Sequence, residues 1–199
     1  TQGSILASGV NGVTINITLA ADTRKAVRLR GLTINGANTG LNGIRIIRAD
    51  NVFIEDTVID GFNTHGISVE TTAGNPQINI DRVSIRRIAQ NGINSFISGG
   101  TSNIAISNST IAETATAVNM STGSKASVSD SVISNNTTGV LAASAELSVV
   151  GSTISSNGTG VSSLAGGQIR ISDNLITLNT TGLSFVGGGT IVSLVNNAI

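Results

Sequence analysis

Four residues in the first half of the chain are of the types that cleave glycosidic bonds: Asp56, Asp60, His65 and Arg86. Two carboxylates are the chemical minimum for glycoside hydrolysis, because one donates a proton and the other acts as base or nucleophile. A histidine and an arginine nearby could move a proton or hold a negatively charged sugar. Whether these groups can act together depends on the elements that position them.

An internal repeat sets their positions. The pattern aliphatic-x-aliphatic-x4-Ile occurs eight times, beginning at Val27, Val52, Ile78, Ile104, Ala126, Leu147, Ile169 and Val192. A Gly-aliphatic step such as Gly66-Ile67 follows in almost every unit. The period of roughly 21 to 27 residues is typical of solenoid coils.

The spacing within one unit predicts three short strands per coil. Alternate residues of the aliphatic-x-aliphatic segment point the same way, as in a strand, and the x4 gap suits a corner between two strands. No segment has the 3.6-residue period of an amphipathic helix. We therefore predict an all-β fold, a parallel β-helix of about eight coils, with inward aliphatic columns. These columns are Ile54, Ile80, Ile106, Val128, Val149, Ile171 and Leu194, and Ile59, Ile85, Ile111, Ile133, Ile154, Ile176 and Ile199.

Opposite charges fall next to each other on neighbouring coils in this register. The predicted pairs are Arg30 with Glu55, Asp56 with Arg82, and Asp60 with Arg86. Such cross-strand pairs contribute about 0.2–1 kcal/mol each on an ordinary sheet surface. This interpretation explains the charges without a substrate and assigns no catalytic residue. The alternative is an acid/base groove that contains Asp56, Asp60, His65, Arg86 and Arg87.

Polar residues also form columns at the corners of the coil. Asn136, Asn157 and Asn179 align, and stacked asparagine amides can hydrogen-bond along the axis. A second corner column is predicted from Thr57, Val83, Ser109, Ser131, Ser152, Asn174 and Asn197. His65 aligns with Asn42 and Asn91, so it is predicted to be one member of a polar column.

The units Asn-x-x-Ile-x-(Asp/Asn)-(Ser/Thr)-x-Ile followed by Thr-Gly-Val resemble the repeats of the right-handed, pectate-lyase-like β-helix superfamily. The resemblance covers about residues 10–199. It implies a single right-handed β-helix. It implies no particular activity, because that superfamily includes polysaccharide lyases, glycoside hydrolases, esterases, phage tailspikes and surface proteins.

The enzymes of this superfamily provide two tests. Thr64-His65-Gly66-Ile67-Ser68 is similar to the histidine-glycine motif of β-helical polygalacturonases, but their Asn-Thr-Asp, Asp-Asp and Arg-Ile-Lys segments are missing. A pectate-lyase site would need several acidic Ca²⁺ ligands and a basic residue in one groove. Its candidates are Asp56, Asp60, Asp81 and Arg82, and Asp56 and Asp81 fall in different columns. We therefore predict no metal site.

Composition narrows the remaining function classes. The 11 basic and 11 acidic residues balance, which disfavours binding to nucleic acid. The absence of Trp and Tyr disfavours a lectin or a single-strand binder that stacks its ligand on aromatic rings. There is no Cys and no apolar run long enough to span a bilayer, so we predict no thiolate site and no membrane insertion. No cofactor motif is present.

The expected domain is a single β-helix over residues 1–199 without terminal capping elements. The expected function is that of a non-enzymatic, exported or cell-surface bacterial solenoid that acts as a rigid structural or adhesion module. One alternative is a subunit that associates with itself through the ends of the helix. The other is a polysaccharide lyase or glycoside hydrolase acting on an acidic polysaccharide.

Overall fold

The computed structural model describes residues 3–72 and 74–199, and within these ranges the chain is all β. The strands in chain order are β1 (Gly3–Leu6), β2 (Val13–Asn16), β3 (Ala26–Arg30), β4 (Leu32–Arg48), β5 (Asn51–Glu55), β6 (Val58–Val69), β7 (Gln77–Asp81), β8 (Ser84–Ser95), β9 (Ser102–Ser107), β10 (Thr110–Met120), β11 (Ser124–Ser129), β12 (Val132–Ser134), β13 (Thr138–Ala143), β14 (Glu146–Val150), β15 (Thr153–Ser155), β16 (Thr159–Leu164), β17 (Gln168–Ser172), β18 (Leu175–Thr177), β19 (Thr181–Phe185) and β20 (Thr190–Ser193). The described residues contain no helix that could cross a membrane.

Every strand pairs in parallel with its counterpart on the next coil, which makes the fold a parallel β-helix. Face 1 is a sheet of eight strands in the spatial order β20-β17-β14-β11-β9-β7-β5-β3. The second sheet holds the other twelve strands. Its long strands β4, β6, β8 and β10 each form both remaining sides of a coil, and later coils divide that path into separate strands, so that β10 pairs with both β12 and β13. We call the first side of this path face 2 and the second side face 3.

The core consists of the predicted aliphatic columns. Ile54 lies opposite Ile80, Ile80 lies opposite Ile106, and all three are fully buried. The face 2 column from Ile34 to Ile176 is buried in the same way. Each buried side chain of this size contributes about 1.5–3 kcal/mol. The predicted register of these ladders is therefore confirmed as far as Ile171 and Ile176.

The predicted register of face 1 is wrong in the last coil. Ile169 lies opposite Ile191 rather than Val192, and Ile171 lies opposite Ser193 rather than Leu194. Both Ile191 and Val192 are aliphatic, so the repeat pattern fits either register. Leu175 still pairs with Ala198, which keeps Ile199 next to Ile176 as predicted. The last coil therefore has one more residue between these points than the coil before it.

Candidate functional site

Asp56 lies at the first corner of the coil, between face 1 and face 2. One residue of each coil has a left-handed backbone there, with φ between 48° and 73°. The members of this column are Gly31, Asp56, Arg82, Asn108, Asp130, Gly151, Asp173 and Asn196. Left-handed backbone favours Gly, Asn and Asp. The corner conformation therefore accounts for an aspartate at position 56 without any chemistry.

Asp56 is engaged by two arginines from the neighbouring coils. Its carboxylate accepts hydrogen bonds from Arg82 Nε at 2.7 Å and from Arg30 Nε at 2.9 Å. The bond from Arg82, followed by the bond from Arg30, lowers the pKa of Asp56 to about 2. The group is ionised at neutral pH and cannot serve as the proton donor of a hydrolase.

Asp81 has its own set of partners. Ser107 Oγ and Asn108 Nδ2 both donate to its Oδ1 at 2.8 Å, and these bonds lower its pKa. Its register partner on the preceding coil is Glu55, so Asp81 and Asp56 do lie in different columns. No group of three or more acidic or histidine side chains that could hold a metal occurs within residues 3–72 and 74–199.

Asp60 begins the second corner, between face 2 and face 3, and is only 5% exposed. The predicted partner Arg86 lies opposite it, with its Nη2 atom 3.4 Å from Asp60 Oδ2. The closer partner is Arg87, whose Nε donates to Oδ1 at 2.9 Å and whose Nη2 donates to Oδ2. Arg87 has the left-handed backbone of this corner, with φ of 52°. The repeat register alone does not indicate this second pairing.

His65 lies on face 3 as a member of the predicted polar column. Asn42 and Asn91 are its register partners, and Asn91 Nδ2 lies 3.3 Å from His65 Nδ1. Burial lowers the pKa of His65, and the charge of Glu70 opposes part of that effect. The histidine is therefore neutral at neutral pH.

The four candidate catalytic residues form separate groups. Asp60 and Arg86 are ion-paired, whereas Asp56 pairs with arginines of the first corner and His65 contacts an asparagine. Within the described residues, no hydrogen bond or ion pair joins Asp56, Asp60 and His65 to one another. The structure therefore does not bring the four residues together in one acid/base groove.

A different concave surface lies on face 1. A shallow groove of about 370 Å³ crosses strands β5, β7, β9 and β11. Its lining includes Phe53, Gln77, Asn79, Asn103, Ala105, Lys125 and Ser127. The small side chains of Ala105 and Ser127 line it on β9 and β11, and Phe53 lies in the same outward column on β5. Arg28 packs over the Phe53 ring at 4.9 Å from the neighbouring strand β3, which lies on the side away from β7.

A comparison with known protein families shows which family the chain belongs to. The family described as "Right handed beta helix region" matches residues 42–199. The chain belongs to this family. The match also confirms the handedness that the repeats predicted.

The solved structures that resemble this right-handed β-helix include the A-module of the mannuronan C-5 epimerase AlgE6 from Azotobacter vinelandii. The two share 16% sequence identity with a TM-score of 0.46. The alignment covers 95% of this chain and 56% of the epimerase chain, so the present chain spans little more than half of that module. No curated protein matches the sequence.

The polar groups of the groove differ from the buried polar groups of the corners in their hydrogen bonding. At the corners, buried Ser and Asn side chains form hydrogen bonds to the neighbouring coil. For example, Ser131 Oγ accepts a hydrogen bond from the backbone N–H of Ser109 at 3.1 Å. Within the described residues, the side chains of Asn79, Asn103 and Ser127 have no hydrogen-bond partner. They are partly or fully exposed, so they are available to a ligand.

Sequence reasoning did not find this groove. Its signal was present in the outward positions of face 1, where amides recur at Asn51, Gln77 and Asn103 in one column. In the adjacent column, the side chains are small at Ala105 and Ser127. A shallow groove arises from missing side-chain volume, which the aliphatic repeat pattern does not reveal.

Proposed function

We propose that this right-handed β-helix is a non-catalytic, rigid module that binds an extended polysaccharide along the face 1 groove. The observation that carries the proposal is the set of unpaired polar side chains Asn79, Asn103 and Ser127 in one concave surface. Exposed amides and hydroxyls both donate and accept hydrogen bonds, as the hydroxyl groups of sugars do. We further propose that the protein works outside a bacterial cell or on its surface, where such polysaccharides occur.

The state of the carboxylates supports a non-catalytic role. Asp56 and Asp60 are each held by two arginines, and the pKa of Asp56 is lowered to about 2. A general acid needs a raised pKa instead. Neither residue lines the face 1 groove. A bound polysaccharide in that groove would therefore meet no proton donor among the candidate residues.

The stacked columns support a rigid rod. Coils are joined on all three faces by parallel strand pairs. Side chains at the corners add hydrogen bonds between coils, such as the one from the backbone N–H of Ser152 to Asn174 Oδ1 at 3.0 Å. In such solenoids each coil is held mainly by its neighbours. A rod of this kind can hold a row of polar groups in fixed positions along its axis without reorganisation.

Affinity electrophoresis against soluble polysaccharides tests the proposal. The wild type should be retarded by at least one of them, and the double variant N79A/N103A should lose the retardation. The control is Asn51→Ala, which removes an amide from the same column as Asn103 but outside the groove. Binding that survives in N79A/N103A, or that is lost equally in N51A, contradicts the site. Release of shortened or unsaturated sugars from any bound polysaccharide contradicts the non-catalytic role.

The second candidate function is self-association through stacked coils. Phe185 occupies an inward position, opposite the fully buried Ser163, yet it is 65% exposed on β19, the last described strand of face 3. Ile199 is 63% exposed next to Ile176. Sedimentation at increasing protein concentration should then show growing species, and Ile199→Lys should abolish them. Leu178→Lys, at an exposed corner position of the preceding coil, is the matched control. A single species at all concentrations rules this candidate out.

A further inference from the structure

We infer that the face 1 groove binds a neutral rather than an acidic polysaccharide. The inference rests on the proposed function and specifies the class of ligand. It departs from the alternative, offered by the sequence, of an enzyme that acts on an acidic polysaccharide. The two cations next to the groove, Lys125 and Arg28, are already paired within the protein.

The groove offers no free cation for a sugar carboxylate. Lys125 is the one charged residue in its lining, and its Nζ atom lies 3.0 Å from Glu146 Oε1. Arg28, beyond Phe53, packs on the ring and lies 3.8 Å from Glu55. A uronate would have to displace one of these internal partners, which cancels most of the gain from its own ion pair.

Carboxylates also flank the groove on the outward surface of face 1. Glu55 and Asp81 lie opposite each other on β5 and β7, two of the four strands that form the groove. Asp81 accepts hydrogen bonds from its neighbours that lower its pKa, so it is ionised at neutral pH. Both carboxylates are themselves ion-paired, Glu55 with Arg28 and Asp81 with Arg82, so the charges on this surface balance and do not attract an anionic chain. The surroundings of the groove therefore give acidic sugars no electrostatic advantage.

The groups that remain free suit a neutral sugar chain. Asn79, Asn103 and Ser127 are uncharged and can pair with sugar hydroxyls as donor or acceptor. The ring of Phe53 gives the groove one apolar wall for the C–H surface of a sugar. The groove crosses four strands spaced about 4.8 Å apart, so it runs along the helix axis for about 14 Å. An extended, unbranched neutral glycan fits this direction and length.

Titration with two matched sets of oligosaccharides tests the inference. Neutral β-linked oligosaccharides, cello- and xylo-oligosaccharides, are compared with oligouronates of the same length, by calorimetry at low and at high salt. We expect neutral chains to bind at least about tenfold more tightly, with an affinity that changes less than about twofold with salt, because no ion pair forms with the ligand.

Two variants distinguish an effect of the Lys125–Glu146 pair on ligand choice from a general loss of structure. Glu146→Gln frees Lys125 and should raise the affinity for oligouronates several-fold at low salt, while the affinity for neutral chains stays unchanged. Adding Lys125→Gln to Glu146→Gln should abolish that gain, since the freed ammonium group is what attracts the oligouronate. Wild-type preference for oligouronates overturns this inference and leaves the groove intact as a polysaccharide site. Binding of neither class overturns the proposed function itself.

Discussion

The backbone N–H and the side-chain amide of Asn157 donate to one acceptor, the Oδ1 atom of Asn179 on the next coil, at 2.9 and 3.0 Å. Asn136 makes the same two bonds to Asn157, at 3.0 Å each. Asn157 is only 3% exposed. Each asparagine thus satisfies the corner backbone of the coil before it, and the ladder links three coils through buried hydrogen bonds.

Replacing Asn157 with Ala should destabilise the fold. The substitution removes the acceptor of the Asn136 N–H and leaves a buried donor unpaired, which costs about 1–3 kcal/mol. For a chain of this size that corresponds to a fall in Tm of several degrees, measured by calorimetry. Thr137→Ala is the control, because Thr137 is exposed and its hydroxyl has no partner within the described residues. Equal Tm values for N157A and wild type would show that the ladder adds no stability.

Much of the fold could be predicted from the sequence because each coil repeats the same buried positions. Ile80 and Ile106 are one period apart and stack as predicted. The asparagine ladder follows from the same period. The last coil was misread because Ile191 and Val192 are chemically alike, so that hydrophobicity alone does not choose between two registers.

The site was less predictable because it depends on corner conformation and on side-chain volume. The register paired Asp60 with Arg86, but the left-handed backbone at Arg87 brings that residue closer to the carboxylate. The groove exists where the outward column of face 1 passes from the larger Phe53 and Asn79 to the small Ala105 and Ser127. The side-chain sizes along one column indicate the position of the groove only once the strand register is known.

Replacing Gly66 with Ala should be more costly than the same change at Gly182, the equivalent glycine of β19. A Cβ atom at Gly66 would lie 2.5 Å from the carbonyl oxygen of Gly92 and 2.7 Å from Ile85 Cγ2. At Gly182 the nearest atom would be Ile199 Cγ2, at 3.2 Å. Overpacking of this kind costs about 1–3 kcal/mol. Urea unfolding of both variants measures the difference, and an equal loss of stability in G66A and G182A would contradict close coil packing as the cause.

Replacing Asp60 with Asn should reduce stability and leave polysaccharide binding unchanged. Asp60 is nearly buried between Arg86 and Arg87, and the amide removes the negative charge that both guanidinium groups face. Loss of charge-assisted hydrogen bonds costs about 1.5–3 kcal/mol. Unfolding and affinity electrophoresis are measured on the same samples. A stable variant that stops binding or converting a polysaccharide would identify Asp60 as a functional residue instead.

The stability of the protein should fall as the pH is lowered through the range in which histidine titrates. Burial lowers the pKa of His65 from its usual 6.5, so the folded state favours the neutral ring. The unfolded chain binds the proton first, and the stabilisation present above about pH 6.5 is lost progressively below it.

Tm values between about pH 7 and 5 should fall more steeply for the wild type than for His65→Asn, which keeps the polar character of the column formed with Asn42 and Asn91. The Glu70 carboxyl, whose pKa is lowered from its usual 4.5 by Arg45 and Ser68 against the effect of burial, adds to the slope only towards pH 5, in wild type and H65N alike. Parallel Tm profiles for wild type and H65N would show that His65 titrates identically in the folded and unfolded chains.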